Sequence, residues 1–207
     1  MEWNAIQYYA KAKGYLVFAI DQGQTAVTTQ PGPWGSASSG NCIGLATNWI
    51  SLSYMGKNFP IVDNVCDNPP WQATQAQNLS DSATREEWSG GWKAAVVPFQ
   101  CTLSSGLCAE QRTKPSFDFL WATMSQSHGC YGVSLMGKKG IHAIALRHEP
   151  GCFQLFDANY FHIAVDGQAA FGDYVDSYFR SAKYDRLFEK MGIVGIMPPI
   201  NAKGWHR

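Results

Sequence analysis

The sequence predicts an α+β fold in which helices come first and an antiparallel sheet follows. Three features carry this. Apolar side chains recur at helical spacing in the first two thirds, the last third breaks into short β-type runs punctuated by Gly, Pro and Asn, and helix and strand do not alternate as βαβ units. With 207 residues, no internal repeat and no linker-like stretch, the chain reads as one domain, residues 1–207.

Residues 3–13 predict a short helix and residues 15–20 a strand. Gly, Ser, Thr and Pro dominate from residue 22 to 41, ending in PGPWGSASSGN, a loop signature. Over residues 42–55 (CIGLATNWISLSYM) the apolar positions 42, 45, 46, 49, 52 and 55 form one helical stripe, with Asn41 or Ser39 as N-cap and Gly56 past the C-terminus. Residues 57–82 read as loop, residues 82–88 as the opening of a helix, and residues 93–101 as a strand. Residues 117–124 (FDFLWATM) fit a buried helix. Strands follow at 131–136, 141–148, 152–157 and 161–165, then a helix over 168–188 and a closing strand at 191–197.

Composition excludes several classes of function. Sixteen basic and sixteen acidic side chains cancel, which removes the electrostatic footprint of a nucleic-acid partner. Hydrophobic residues at 45% exclude a disordered chain. The longest apolar run, residues 15–20, is far short of the ~20 residues that cross a bilayer, so no integral membrane segment is expected. Charged residues make up 15%, against roughly 25% in ordinary soluble domains, and the eight Trp read as core. The N-terminal stretch lacks the basic region, apolar core and small-residue cleavage site of a conventional secretory signal, and Glu2 does not fit N-myristoylation. Six scattered cysteines (Cys42, Cys66, Cys101, Cys108, Cys130, Cys152) without CxxC or zinc spacing read as mostly free thiols. GxGxxG, Walker-loop and HExxH patterns are absent, so neither cofactor nor metal is expected.

Cys42 follows a Gly/Ser-rich loop and opens a helix. Unpaired N–H groups and the positive end of the helix dipole favour thiolate at such a position, and a backbone N–H there can stabilise an oxyanion on a substrate carbonyl. A nucleophile of this kind needs a base. Of five histidines, His206 is in the tail, His128 in a polar turn, and His148 and His162 flank turns. His142 alone lies inside an otherwise apolar strand, GIHAIALRH. The following strand returns antiparallel after Glu149-Pro150-Gly151. A turn centred on Glu149-Pro150 sets His142 opposite Asp157. A type II turn with Pro150-Gly151 at its centre sets His142 opposite Asn159, with Asp157 diagonal on the same face, roughly 7–8 Å away at Cα. In either register a helix-capping cysteine and a sheet histidine with a carboxylate orienter give the Cys–His–Asp logic of nucleophilic acyl transfer.

These segments, GNC42IGLATNW49I, H142AIAL and FQLFD157AN159Y, resemble the YopT/AvrPphB-type cysteine peptidases, papain-like effectors that bacteria deliver into host cells. The resemblance spans roughly residues 35–165, with the three motifs in family order. It implies a papain-like fold, the nucleophile helix packed against a central antiparallel β-sheet. It also implies Cys42 as nucleophile, His142 as general base and acid, Asp157 as the residue that orients His142, and Trp49 and Ile50 as packing positions. Ala158 and Phe161 stand where the family has Pro and Gly after the aspartate. The family's oxyanion amide, several residues before the cysteine, is also missing, since residues 35–40 read GSASSG. Asn41, the Ser36 hydroxyl, a backbone N–H, or Gln24 or Gln30 are the candidate substitutes, with Asn159 as support for the site.

Three functions follow. The first is a secreted bacterial effector protease, a monomer acting in the host cytosol on a host protein substrate through Cys42, His142 and Asp157. The second keeps the triad but attacks a Gln or Asn side-chain amide, as a deamidase or transglutaminase-like toxin. The third is a non-catalytic interaction module on the same scaffold.

Overall fold

The computed structural model describes residues 4–21, 41–60, 71–83, 88–138 and 140–200. Alternate side chains of a strand point to opposite faces, and in this sheet both faces are apolar. Leu146 and Ile144 of one strand face a cluster with Phe153, Leu155, Phe171 and Phe179. Their neighbours Ala143 and Ala145 face a second cluster with Leu45, Trp49, Trp92 and Phe156. The sheet is therefore the middle of three layers, and the small residues on one face let a helix come close.

Seven strands are described: β1 (Leu16–Ala19), β2 (Thr102–Gln111), β3 (Gly129–Gly137), β4 (Gly140–Glu149), β5 (Cys152–Asp157), β6 (Phe161–Asp166) and β7 (Lys190–Met197). They lie in the order β1-β6-β5-β4-β3-β7-β2, and every neighbouring pair is antiparallel. On one side pack α2 (Cys42–Tyr54), α3 (Trp71–Ser82) and α4 (Gly90–Ala95). The other side is covered by α1 (Ala5–Ala12), α5 (Phe117–Met124), α6 (Gln168–Ser181) and α7 (Tyr184–Leu187). The α+β expectation, with the cysteine-bearing helix against an antiparallel sheet, is met.

Of the two hairpin registers, the structure has the one centred on Pro150-Gly151. Glu149 pairs with Cys152 and Ala145 with Phe156, and Gly151 takes the positive φ of 78° that a type II turn requires at that place. The ladder ends at Ala145 and Phe156, so His142 is paired on its β3 side, with Leu135, but not with β5.

Several local expectations are overturned. Residues 93–101 are not a strand: α4 runs into a 3-10 turn at Val97–Phe99, where Pro98 fits the first turn and Val96-Val97 gave a false β signal. Residues 57–82 are not all loop, because α3 occupies the last twelve. Its buried stripe is only Ala73 and Ala76, too small to register as amphipathic, yet it suits close packing against α2. The Cβ that Gly44 lacks would sit 2.2 Å from the Ala73 carbonyl oxygen. Ser82 closes α3 rather than opening a helix. The predicted helix over 168–188 breaks after Ser181, where Lys183 adopts a left-handed conformation (φ 61°) and α7 starts in a new direction. Strand β2 was not anticipated. It is a mostly exposed edge with an irregularity between Leu103 and Cys108, so no alternation marks it. Trp49 and Trp92 are core as expected, but Trp71 is 67% exposed. Cys42, Cys101, Cys130 and Cys152 are free thiols.

Candidate active site

Helix α2 begins at Cys42, which is partly exposed at its N-terminus. Asn41 occupies the N-cap position, but its side chain makes no capping bond. The cap comes instead from α3: Gln77 Oε1 accepts the Gly44 N–H at 3.3 Å, and Gln77 Nε2 donates to Asp81 at 2.9 Å. The Cys42 N–H has no hydrogen-bond partner among the described residues. Asn41 is 2% exposed, and neither polar atom of its side chain has a partner among the described residues.

His142 is 7% exposed. Its Nε2 lies 3.0 Å from both Asp157 oxygens, and the Cys42 thiol is close enough to the ring to add to its basicity. With Nε2 turned to the carboxylate, Nδ1 is the nitrogen left for the sulfur. Burial by itself would lower the basicity of His142. The Asp157 charge and hydrogen bond, with Cys42 adding to them, outweigh it and raise the pKa to about 10.

Asp157 is 0% exposed. A carboxylate can stay ionised there only if donors replace its lost water. One oxygen accepts the Asn159 N–H at 2.7 Å; the other accepts the Tyr184 hydroxyl at 3.0 Å and a close hydrogen bond from the Tyr178 hydroxyl. Burial raises the pKa of such a group, but the His142 charge and these bonds reverse the direction and hold it below the ordinary carboxylate value. Asn159 also donates to the Tyr184 oxygen at 3.2 Å and sits 3.4 Å from His142 Nε2. The turn after Asp157 closes with the Tyr160 N–H on the Asp157 carbonyl at 3.0 Å, so Ala158 and Phe161 are compatible with it.

The structure thus brings together Cys42, His142, Asp157 and Asn159, and sets Asn41 next to the thiol's helix turn. Ser36, Gln24, Gln30 and His206 lie outside the described residues. The other described histidines are engaged elsewhere. His148 donates from Nδ1 to the Met124 carbonyl at 3.0 Å and stacks on Phe153. His162 pairs with Gln154 at 2.9 Å and packs edge-on against Trp49. Sequence reasoning missed Tyr178 and Tyr184, and no motif marked either one.

Cys42 opens onto a groove of about 550 Å³ lined by Trp88, Met136, Ile141, Asp81 and the Glu110–Lys190 ion pair. Ile141, next to His142, is 58% exposed. Among the described residues no three His, Cys, Asp or Glu side chains converge as metal ligands, and no helix is long and apolar enough to cross a membrane. Chemically, the thiol–imidazole–carboxylate row allows the ring to take a thiol proton and hand it to a leaving group.

A helix carrying a cysteine at its N-terminus, laid on an antiparallel sheet that carries a histidine and a carboxylate, is the papain-like α+β fold. The chain shares this fold with the crystal structure of the Pseudomonas avirulence protein AvrPphB, at a TM-score of 0.57 and 20% identity over 75% of this chain and 90% of that one. The ubiquitin-specific protease encoded by a murine cytomegalovirus tegument protein, solved with a ubiquitin-based suicide substrate, aligns at a TM-score of 0.47 and 10% identity, over 92% of this chain and 90% of that one. No protein-family description and no curated protein sequence matches the chain.

Proposed function

We propose that the protein is a cysteine protease of the effector type, acting on a protein of a host cell. The observation that carries this is the row in which the Cys42 thiol meets a His142 ring whose far nitrogen is bound by the buried Asp157. In the reaction, His142 takes the Cys42 proton and the sulfur attacks a peptide carbonyl. The tetrahedral intermediate collapses as His142 protonates the leaving amine. Water, deprotonated by His142, then releases the acyl group and restores the thiol. The Cys42 N–H is the first oxyanion donor, and the buried Asn41 amide, without a partner among the described residues, is the second. A groove of about 550 Å³ beside Cys42 has room for several residues of an extended chain rather than a lone side-chain amide, which favours peptide-bond cleavage over deamidation.

The test is a eukaryotic cell lysate incubated with the protein or with Cys42→Ala, followed by N-terminal labelling and mass spectrometry. New N-termini that require Cys42 support the protease. Gln or Asn conversions with a mass gain of about 1 Da and no new termini replace it with the deamidase. Neither product, with the two proteins indistinguishable, refutes both.

A further inference from the structure

Two tyrosines surround the Asp157 carboxylate, and the chain takes an unusual path to bring them there. In an unbroken helix, residues six apart would lie about 240° round the axis from each other. Tyr178 is in α6 and Tyr184 opens α7, and between them Lys183 takes the left-handed conformation that turns the second tyrosine back to the site. Both hydroxyls donate to the same Asp157 oxygen. Tyr178 is 2% exposed and Tyr184 4%. The Tyr184 ring also covers the imidazole, with centroids 5.3 Å apart.

We propose that Tyr178 and Tyr184 are positioning residues of this site: their hydroxyls fix the Asp157 carboxylate in its ionised form, so that the shared proton stays on His142 and an imidazolium remains beside Cys42. The proposal rests on the protease reading of the Cys42–His142 pair. Its physical basis is the cost of burying opposite charges, which favours a neutral carboxylic acid beside a neutral imidazole unless hydrogen bonds replace the lost water. Here the two phenols and the Asn159 N–H supply those bonds. Burial and then the Asp157 charge raise both phenols well above their ordinary pKa, so they remain donors throughout the neutral range. The titratable groups facing the pair are Cys42 from α2, Tyr178 from α6, Tyr184 from α7 and Tyr160 from the β5–β6 turn, with Asp21 acting on Tyr160.

The test is the rate at which iodoacetamide alkylates Cys42, the sulfur displacing iodide, measured by peptide mapping from pH 5.5 to 9.5 on the full chain. Wild type is compared with Tyr178→Phe/Tyr184→Phe and with Tyr184→Phe alone, which keeps the ring and serves if the double variant does not fold. At pH 6 the double variant should react about tenfold more slowly and the single variant about threefold. By pH 9, where thiolate forms without an imidazolium, the differences should close to within about twofold. A purely structural role for the tyrosines would lower the rate by the same factor at every pH, and that result, or unchanged rates at pH 6, overturns the proposal while leaving the protease reading intact. A wild-type Cys42 no faster at pH 6 than the exposed Cys108 overturns both.

Discussion

Replacing Asp157 by Asn keeps the shape of the side chain and removes its charge. In the wild type, burial pulls the His142 pKa down, yet the carboxylate lifts it to about 10. With the charge gone, burial is opposed only by the smaller contribution of Cys42, and the value falls back toward the ordinary 6.5. The change exceeds three pH units, and at 1.36 kcal/mol per unit it corresponds to on the order of 4 kcal/mol, similar to the ~3–5 kcal/mol lost when one partner of a buried ion pair is removed. The loss has a definite pH dependence. A histidine whose folded pKa is raised contributes fully below its unfolded value of about 6.5, and that contribution fades as pH rises toward 10. Urea unfolding at pH 6, 7.5 and 9 measures it. Asp157→Asn should be less stable by about 4 kcal/mol at pH 6, with the gap shrinking by more than half at pH 9. A gap of the same size at all three pH values, or no gap, refutes the ion-pair argument.

Gly44→Ala places a methyl 2.2 Å from the Ala73 carbonyl oxygen, more than 1 Å inside contact, and α2 and α3 must separate. Thermal unfolding should show a loss of about 1–3 kcal/mol, and Cys42-dependent activity should fall by up to about 100-fold as the thiol is displaced. Gly132→Ala drives a methyl to 2.7 Å from three Trp92 ring atoms on the face of the sheet that packs against α2 and α4. It should cost a similar ~1–3 kcal/mol in urea unfolding while Cys42 alkylation changes little. Gln77→Ala removes the side chain that caps Gly44, and a loss of about 1 kcal/mol is expected by the same measurement. Burial, then the Arg147 charge, lowers the His162 pKa to about 3. Its contribution is therefore present above 6.5 and lost as pH falls toward 3, so His162→Phe should flatten the decline of stability between pH 6.5 and 4.

Much of the sheet was legible because its signals are local. Short β-type runs bounded by Gly, Pro and Asn located β3 to β6, and the Pro150-Gly151 turn chemistry favoured the hairpin register that sets His142 near Asp157. The nucleophile helix was legible from its apolar stripe, although buried Thr47, Asn48 and Ser51 show that it is covered on every side. What stayed hidden depends on contacts between distant segments. Helix α3 buries only two alanines, so its fit to Gly44 cannot be seen from its own sequence. Edge strand β2 has a single neighbour and an irregular register, so it lacks alternation. The α6–α7 break rests on a lysine in a left-handed conformation, with no Gly or Pro to announce it, and that break delivers Tyr184 to the carboxylate. The neutral composition excluded recognition by a global field, and the groove at Cys42 accordingly combines apolar walls with a paired Glu110 and Lys190.

The central claim is that His142 activates Cys42. The direct measurement is the alkylation rate of each described cysteine at pH 6.5, by peptide mapping, in the wild type and in His142→Ala. Cys42 should react at least about tenfold faster than the exposed Cys108 in the wild type and fall to the Cys108 rate in the variant. A Cys42 no more reactive than Cys108, or one whose rate survives the loss of His142, contradicts the account.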